Sequence, residues 1–129
     1  GNKIRNKKIT FLGVTFKPNT DDMRDASSLY LIPRLLKKKA IISYYEPTGE
    51  KKEFHNLQSC NFDLDIKKVC KNSDLVILHT EWDQFKSLDF KKLFKSNKSI
   101  LFDLRNLYNT GLMKKNKIKY FSIGRPIIN

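Results

Sequence analysis

Residues 9–28 read ITFLGVTFKPNTDDMRDASS, and the fold is decided by how this stretch is parsed. It is mostly apolar through residues 9–16 and turns polar at Lys17. It then passes through Pro18, Asn19 and the Asp21-Asp22 pair, and resumes helical spacing near Ala26. A near-continuous apolar run of this length reads as a strand buried on both faces, as in a parallel sheet. A polar loop and a helix start follow without interruption. In open α/β domains the loops at the carboxyl ends of parallel strands hold ligands. This loop offers Lys17, Arg24 and free backbone N–H donors, a set suited to an anion.

Outward from that segment, strand one is placed at residues 8–16, with Gly13 inside it. Asp25 or Ser27 caps the next helix, which carries Leu29, Ile32, Leu35 and Leu36 at helical spacing. Pro33 either kinks that helix or sits in its first turns, and Lys37, Lys38 and Lys39 end it favourably. Strand two covers residues 40–45 and turns at Pro47-Thr48-Gly49. Residues 50–61 show no clear period and read as a loop with at most one short strand. A helix is expected over 63–72, strand three over 75–79, and one or two short helices around 85–94. Strand four follows at 99–103, a short helix at 109–115 and strand five at 119–123.

This alternation predicts an α/β domain: a doubly wound, mainly parallel, Rossmann-like sheet of five or six strands with right-handed crossovers and order 2-1-3-4-5. The order reverses between strands one and three, so the loops after strands one, three and four wall a crevice.

At 129 residues and 15.2 kDa, with 40% hydrophobic residues, the chain suits one domain with a single core. Residues 1–7 are read as a linker or tag remnant and 8–129 as the domain. No run approaches a membrane span and no charged-then-apolar leader is present. The formal charge of +13 attracts phosphate in general. The lysines, however, are spread along the chain in short runs such as Lys37-Lys38-Lys39, Lys67-Lys68 and Lys91-Lys92. They read as a solvated surface, so no nucleic-acid partner and no membrane partner is expected. Cys60 and Cys70 are too few for a disulfide framework and lack metal-ligand spacing. Cys70 reads as a buried free thiol, and both suit a reducing cytoplasm.

Lys17 follows a buried strand and precedes Pro18, which favours ligand contact over a free surface role. Asp21 and Asp22 with Arg24 form either a metal or acid/base pair or a loop lock, and Asp22 pairing with Arg24 favours the lock. Arg105, between Asp103 and Asn106, is either a structural ion pair or an anion clamp. Its crevice position favours the clamp. Glu81-Trp82 reads as packing, with Trp82 over the sheet edge, and a ligand role for His55 or His79 is the weaker reading. A dinucleotide fingerprint needs three glycines and strand one has only Gly13, so no cofactor is expected on this chain. No P-loop is present, and neither cysteine has the neighbours of a nucleophile, so no catalytic residue is assigned.

With these residues in view, the chain resembles the C-terminal domain of the nucleotide-sugar 6-dehydrogenases. The matching pieces are GVTFKPNTDDMRDASS at 13–28, Tyr45-Glu46-Pro47, SDLVILHTEWDQF at 73–85, FDLRNLY at 102–108 and SIGRP at 122–126. The resemblance implies a nucleotide-sugar oxidoreductase of polysaccharide biosynthesis. Its N-terminal domain binds NAD, a central helix dimerises, and the C-terminal domain binds the UDP end of the substrate. It implies two oxidations at C6 through a cysteine-bound thiohemiacetal, on a cysteine outside this chain, so this chain alone is expected to be inactive. Carried over residue by residue, Phe16, Lys17 and Arg105 match positions that contact the UDP-sugar, and Arg24, with Asp22, holds the loop. The family usually has aspartate where this chain has Glu46. The TDD after FKP and the intact TEW favour UDP-glucose over UDP-N-acetylmannosamine or GDP-mannose. A basic nucleic-acid or protein-interaction module on the same fold is the rival from a different class.

Overall fold

Six short strands carry the architecture: β1 (Lys8–Leu12), β2 (Ile41–Tyr45), β3 (Cys60–Phe62), β4 (Leu75–Leu78), β5 (Ile100–Asp103) and β6 (Lys119–Ser122). In the computed structural model, which describes residues 2–95 and 98–123, they form one sheet ordered β3-β2-β1-β4-β5-β6, every neighbouring pair parallel. The connecting helices are α1 (Ser28–Lys37), α2 (Lys52–His55), α3 (Ile66–Cys70), α4 (Phe90–Leu93) and α5 (Thr110–Lys115).

Side chains alternate across the sheet, so its two faces pack two cores. Ile9, Phe11, Ile42, Tyr44 and Ile77 point to one face, where Ile32 of α1 and Phe54 of α2 cover them. Leu12, Val76, Leu78 and Leu101 point to the other face, against Val69 of α3, Phe90 of α4 and Met113 of α5. The division follows from handedness. Right-handed crossovers place the helices of the β1-to-β3 direction on one face and those of the β4-to-β6 direction on the other.

The α/β class and the expected relative order of five strands hold, and β3 adds a sixth strand at the β2 edge. Residues 50–61 are more structured than their sequence suggested. They contain α2, in which Phe54 alone is buried, and they lead into β3. The helix expected at 63–72 shortens to Ile66–Cys70, headed by Asp65, whose carboxylate accepts the Lys67 N–H at 2.9 Å. Pro33 lies inside α1, which continues through it. Cys70 is a buried free thiol, and burial pushes it up to about 12. Trp82 packs on the second core rather than at the sheet edge. Gly124, Arg125 and Pro126 of the SIGRP piece lie outside the described residues. Among the described residues no helix is long and apolar enough to cross a membrane.

Strand one ends at Leu12, not at Phe16, and Gly13 is not inside it. Gly13 has φ +78°, and a Cβ built there would lie 2.6 Å from the Thr80 Cβ. The chain therefore leaves the sheet at the only residue type that permits both the turn and the close approach of the β4 end.

Gly49, at φ +99°, has open space where its Cβ would be, so it isolates backbone strain from collision. Gly49→Ala is expected to cost about 1 kcal/mol and Gly13→Ala more than about 3 kcal/mol, read from urea midpoints. Equal losses in the two variants would refute the steric role of Gly13.

Candidate functional site

The carboxyl ends of β1, β4 and β5 meet through a set of backbone and side-chain hydrogen bonds. The loop after β1 is held almost residue by residue. Gly13 N–H donates to the Tyr45 carbonyl at 2.8 Å, and Val14 N–H to the Glu46 carboxylate at 3.0 Å. The Val14 carbonyl accepts from the Ser28 hydroxyl at the start of α1. The Thr15 carbonyl accepts from Thr80 at 2.8 Å, and Phe16 N–H donates to the Asp22 carbonyl at 3.1 Å. A polar loop over a buried strand end must satisfy these groups internally, and it does so by borrowing from β2, β4 and α1.

Arg105 completes the arrangement. Its Nε donates to the His79 carbonyl at 2.8 Å and its Nη2 to the Phe16 carbonyl at 3.2 Å. Asp103 does not form the ion pair that sequence reasoning had kept open. Its buried carboxylate accepts from Arg105 N–H at 3.0 Å, Tyr108 N–H at 3.0 Å and the Tyr120 hydroxyl at 2.7 Å. Among the described residues the guanidinium meets no carboxylate; it is held across two loops, on an exposed residue. Phe16 and Lys17 are exposed on the adjoining loop, and the Lys17 carbonyl accepts from the Thr15 hydroxyl at 3.0 Å. Phe16, Lys17 and Arg105 therefore share one rim.

Asp22 and Arg24 sit beside that rim. Arg24 donates from both Nε and Nη2 to the Asp22 carboxylate, with Nη2 at 3.0 Å. Hydrogen bonding from Arg24 holds the Asp22 carboxyl below its ordinary range. Arg24 is paired with Asp22, whose carboxylate also feels the charge of Lys17 on the same exposed loop. No cluster of three or more His, Cys, Asp or Glu among the described residues is arranged to hold a metal ion. The single glycine of the loop is taken up by the close approach to Thr80.

Two groups escaped sequence reasoning. Glu46 is fully buried, and its carboxylate accepts from Val14 N–H, Thr48 N–H and the Thr48 hydroxyl. It is the post that fixes the β1 loop to the β2 end, which gives Tyr45-Glu46-Pro47 a role. A carboxylate directly after an apolar strand was the available signal. His79 is the second. Thr80 gives its only hydroxyl proton to the Thr15 carbonyl, so at 2.9 Å it accepts from His79 Nδ1. Nε2 is then bare and accepts from the Ser27 hydroxyl at 2.9 Å. Ser27 heads α1 without a capping bond of its own, because its hydroxyl is turned to His79. A neutral imidazole thus joins β4 to the start of α1 beneath the rim.

The sequence profile of the UDP-glucose/GDP-mannose dehydrogenase family, UDP binding domain, matches residues 10–110. A UDP-glucose 6-dehydrogenase of Rhizobium meliloti is 37% identical over 127 residues, covering 98% of this chain and 29% of the relative. A UDP-glucose 6-dehydrogenase of Rickettsia bellii is 34% identical, covering 96% of this chain and 29% of the relative. A solved UDP-glucose dehydrogenase from the archaeon Pyrobaculum islandicum superposes with a TM-score of 0.70 at 25% identity, over 94% of this chain and 26% of that one. The chain thus spans under a third of the length of these relatives.

Burial, aided by the Arg105 charge, lowers His79 to about 4 from an ordinary 6.5. The unfolded imidazole takes up its proton near pH 6.5 and the folded one only near 4. This contribution is therefore complete above pH 6.5 and lost as pH falls toward 4. Between pH 7 and 4 the wild type is expected to lose about 3 kcal/mol more than His79→Gln in urea unfolding. Parallel losses in both proteins would contradict the buried neutral imidazole.

Proposed function

We propose that this chain, which belongs to the UDP-glucose/GDP-mannose dehydrogenase family as its UDP-binding domain, holds the diphosphate of UDP-glucose on the rim of Phe16, Lys17 and Arg105. The observation that carries this reading is the Arg105 guanidinium, on an exposed residue beside Lys17 and fixed by the Phe16 and His79 carbonyls. A diphosphate has about two negative charges, and each charge-assisted hydrogen bond to it contributes roughly 1.5–3 kcal/mol. The fork of arginine suits two phosphate oxygens, while lysine acts as a point charge. Phe16, about half exposed (45%), offers an apolar surface next to the charged pair. Asp22 and Arg24 keep the loop in shape.

In this reading the complete polypeptide is an NAD-dependent, cytoplasmic, homodimeric UDP-glucose 6-dehydrogenase. It forms UDP-glucuronate, with NAD and the reactive cysteine on its other parts. This chain supplies none of the hydride chemistry. It binds and orients the nucleotide end, so the isolated domain, open to water on that side, binds UDP weakly and turns nothing over.

In the complete enzyme, Lys17→Ala and Arg105→Lys are each expected to raise KM for UDP-glucose by about tenfold, with kcat changed less. Arg105→Lys keeps the charge and loses the fork, so it tests geometry rather than field. Wild-type kinetics in both variants would remove these residues from the substrate site. Faster turnover of UDP-N-acetylmannosamine or GDP-mannose than of UDP-glucose would instead change the sugar assigned.

A further inference from the structure

The lysines are scattered in sequence, but the fold gathers them. The helices that cover the second core end in lysines, which offset the partial negative charge of the last carbonyls. Lys67 and Lys68 lie in the last turn of α3, Lys91 and Lys92 in that of α4, and Lys114 and Lys115 in that of α5. In a parallel sheet each crossover helix runs back to the amino-terminal edge of the strands. All three helices therefore deliver their cations to that one edge, opposite the Arg105 rim.

Two adjoining hollows lie there. The larger, about 610 Å³, is lined by Lys67, Lys68, Lys71, Lys91, Lys92 and Lys95, together with Asn72, Leu93 and Ser99. The smaller, about 390 Å³, shares Lys91 and Ser99 and adds Lys115, Lys117 and Lys119. Among the described residues, none of these nine ammonium groups meets a carboxylate or donates a hydrogen bond. The nearby acceptors are already engaged. Lys8 Nζ takes the Lys71 carbonyl at 2.6 Å and the Lys68 carbonyl at 3.4 Å, and Asp74 takes Lys8 N–H and Lys98. Among the described residues the positive charge of the furrow has no paired carboxylate.

The lining also narrows the ligand. It has no arginine fork for a planar group, and its one aromatic, Phe94, is buried. A base would find nothing to stack on. Lysine point charges in a row recognise repeated negative charge and little else. We propose that this furrow binds a linear chain of phosphates of the inorganic polyphosphate kind, laid across the ends of α3, α4 and α5.

The test is a titration of polyphosphate into the full chain at about 100 mM salt, repeated across a salt series. The triple variant Lys68→Glu/Lys92→Glu/Lys117→Glu is compared with Lys37→Glu/Lys38→Glu/Lys52→Glu, which changes net charge equally on residues that line neither hollow and belong to α1, its C-cap and α2, on the other face of the sheet. Expected are a steep fall of affinity with salt, a loss of more than about tenfold in the furrow variant, and a change within about twofold in the control. Saturating UDP is expected to leave polyphosphate binding unchanged, which separates this site from the Arg105 rim. Equal losses in both variants, no binding by the wild type, displacement by UDP, or tighter binding of oligo-dT with the same number of phosphates would each overturn the proposal.

Discussion

The contact on which the site depends is the guanidinium of Arg105 against two carbonyls, those of Phe16 and His79, which lie 89 and 26 residues away in the chain. Neither carbonyl belongs to the strand ladder, and both sit at loop ends that would otherwise separate. An arginine can serve both and still face outward, because its donors point along more than one edge. The same side chain therefore organises three loops and remains exposed to an anion. Removing it disturbs the shape of the rim as well as its charge.

Beneath that rim three buried ionisable side chains find hydrogen-bond partners. Glu46, Asp103 and His79 are all essentially inaccessible, and each lies at the carboxyl end of its strand. The two carboxylates collect N–H and hydroxyl donors from the neighbouring loops, and the imidazole relays between Ser27 and Thr80. An unsatisfied buried polar group costs more than an ordinary hydrogen bond contributes, so these contacts specify which loop meets which. The apolar faces hold the sheet together, and the buried polar ends fix the loops above it.

Much of this was legible in the sequence because it depends on periodicity. Apolar runs marked five strands, and helical spacing in Leu29, Ile32 and Leu35 marked α1. Short elements were lost where tertiary packing overrides local pattern: α2 buries Phe54 alone, and β3 is three residues long. The end of β1 was misplaced because Val14 and Thr15 are buried like strand residues, while Gly13 has already turned the chain. Lys17 and Arg105 could be named from their positions after strands. His79 could not, because its partners Ser27 and Thr80 are polar residues of a common type whose meeting depends on the fold. The basic edge was equally hidden, since sequence shows lysine runs but not which end of the sheet receives them.

The central position of β1 also fixes an order of events during synthesis. Its partner on one side, β2, emerges soon after it. Its partner on the other, β4, is far downstream, as the Lys8–Asp74 hydrogen bond across 66 residues records. Contacts of such long range close slowly, since the intervening chain must lose its freedom before they form. A ribosome must therefore release more than half of this chain before the middle of the sheet can be completed, and Arg105 later still. The rim is complete only once Arg105 has emerged, with α5 and β6 still to follow, and a nascent chain halted before that point would carry the β1 loop without the arginine that shapes it.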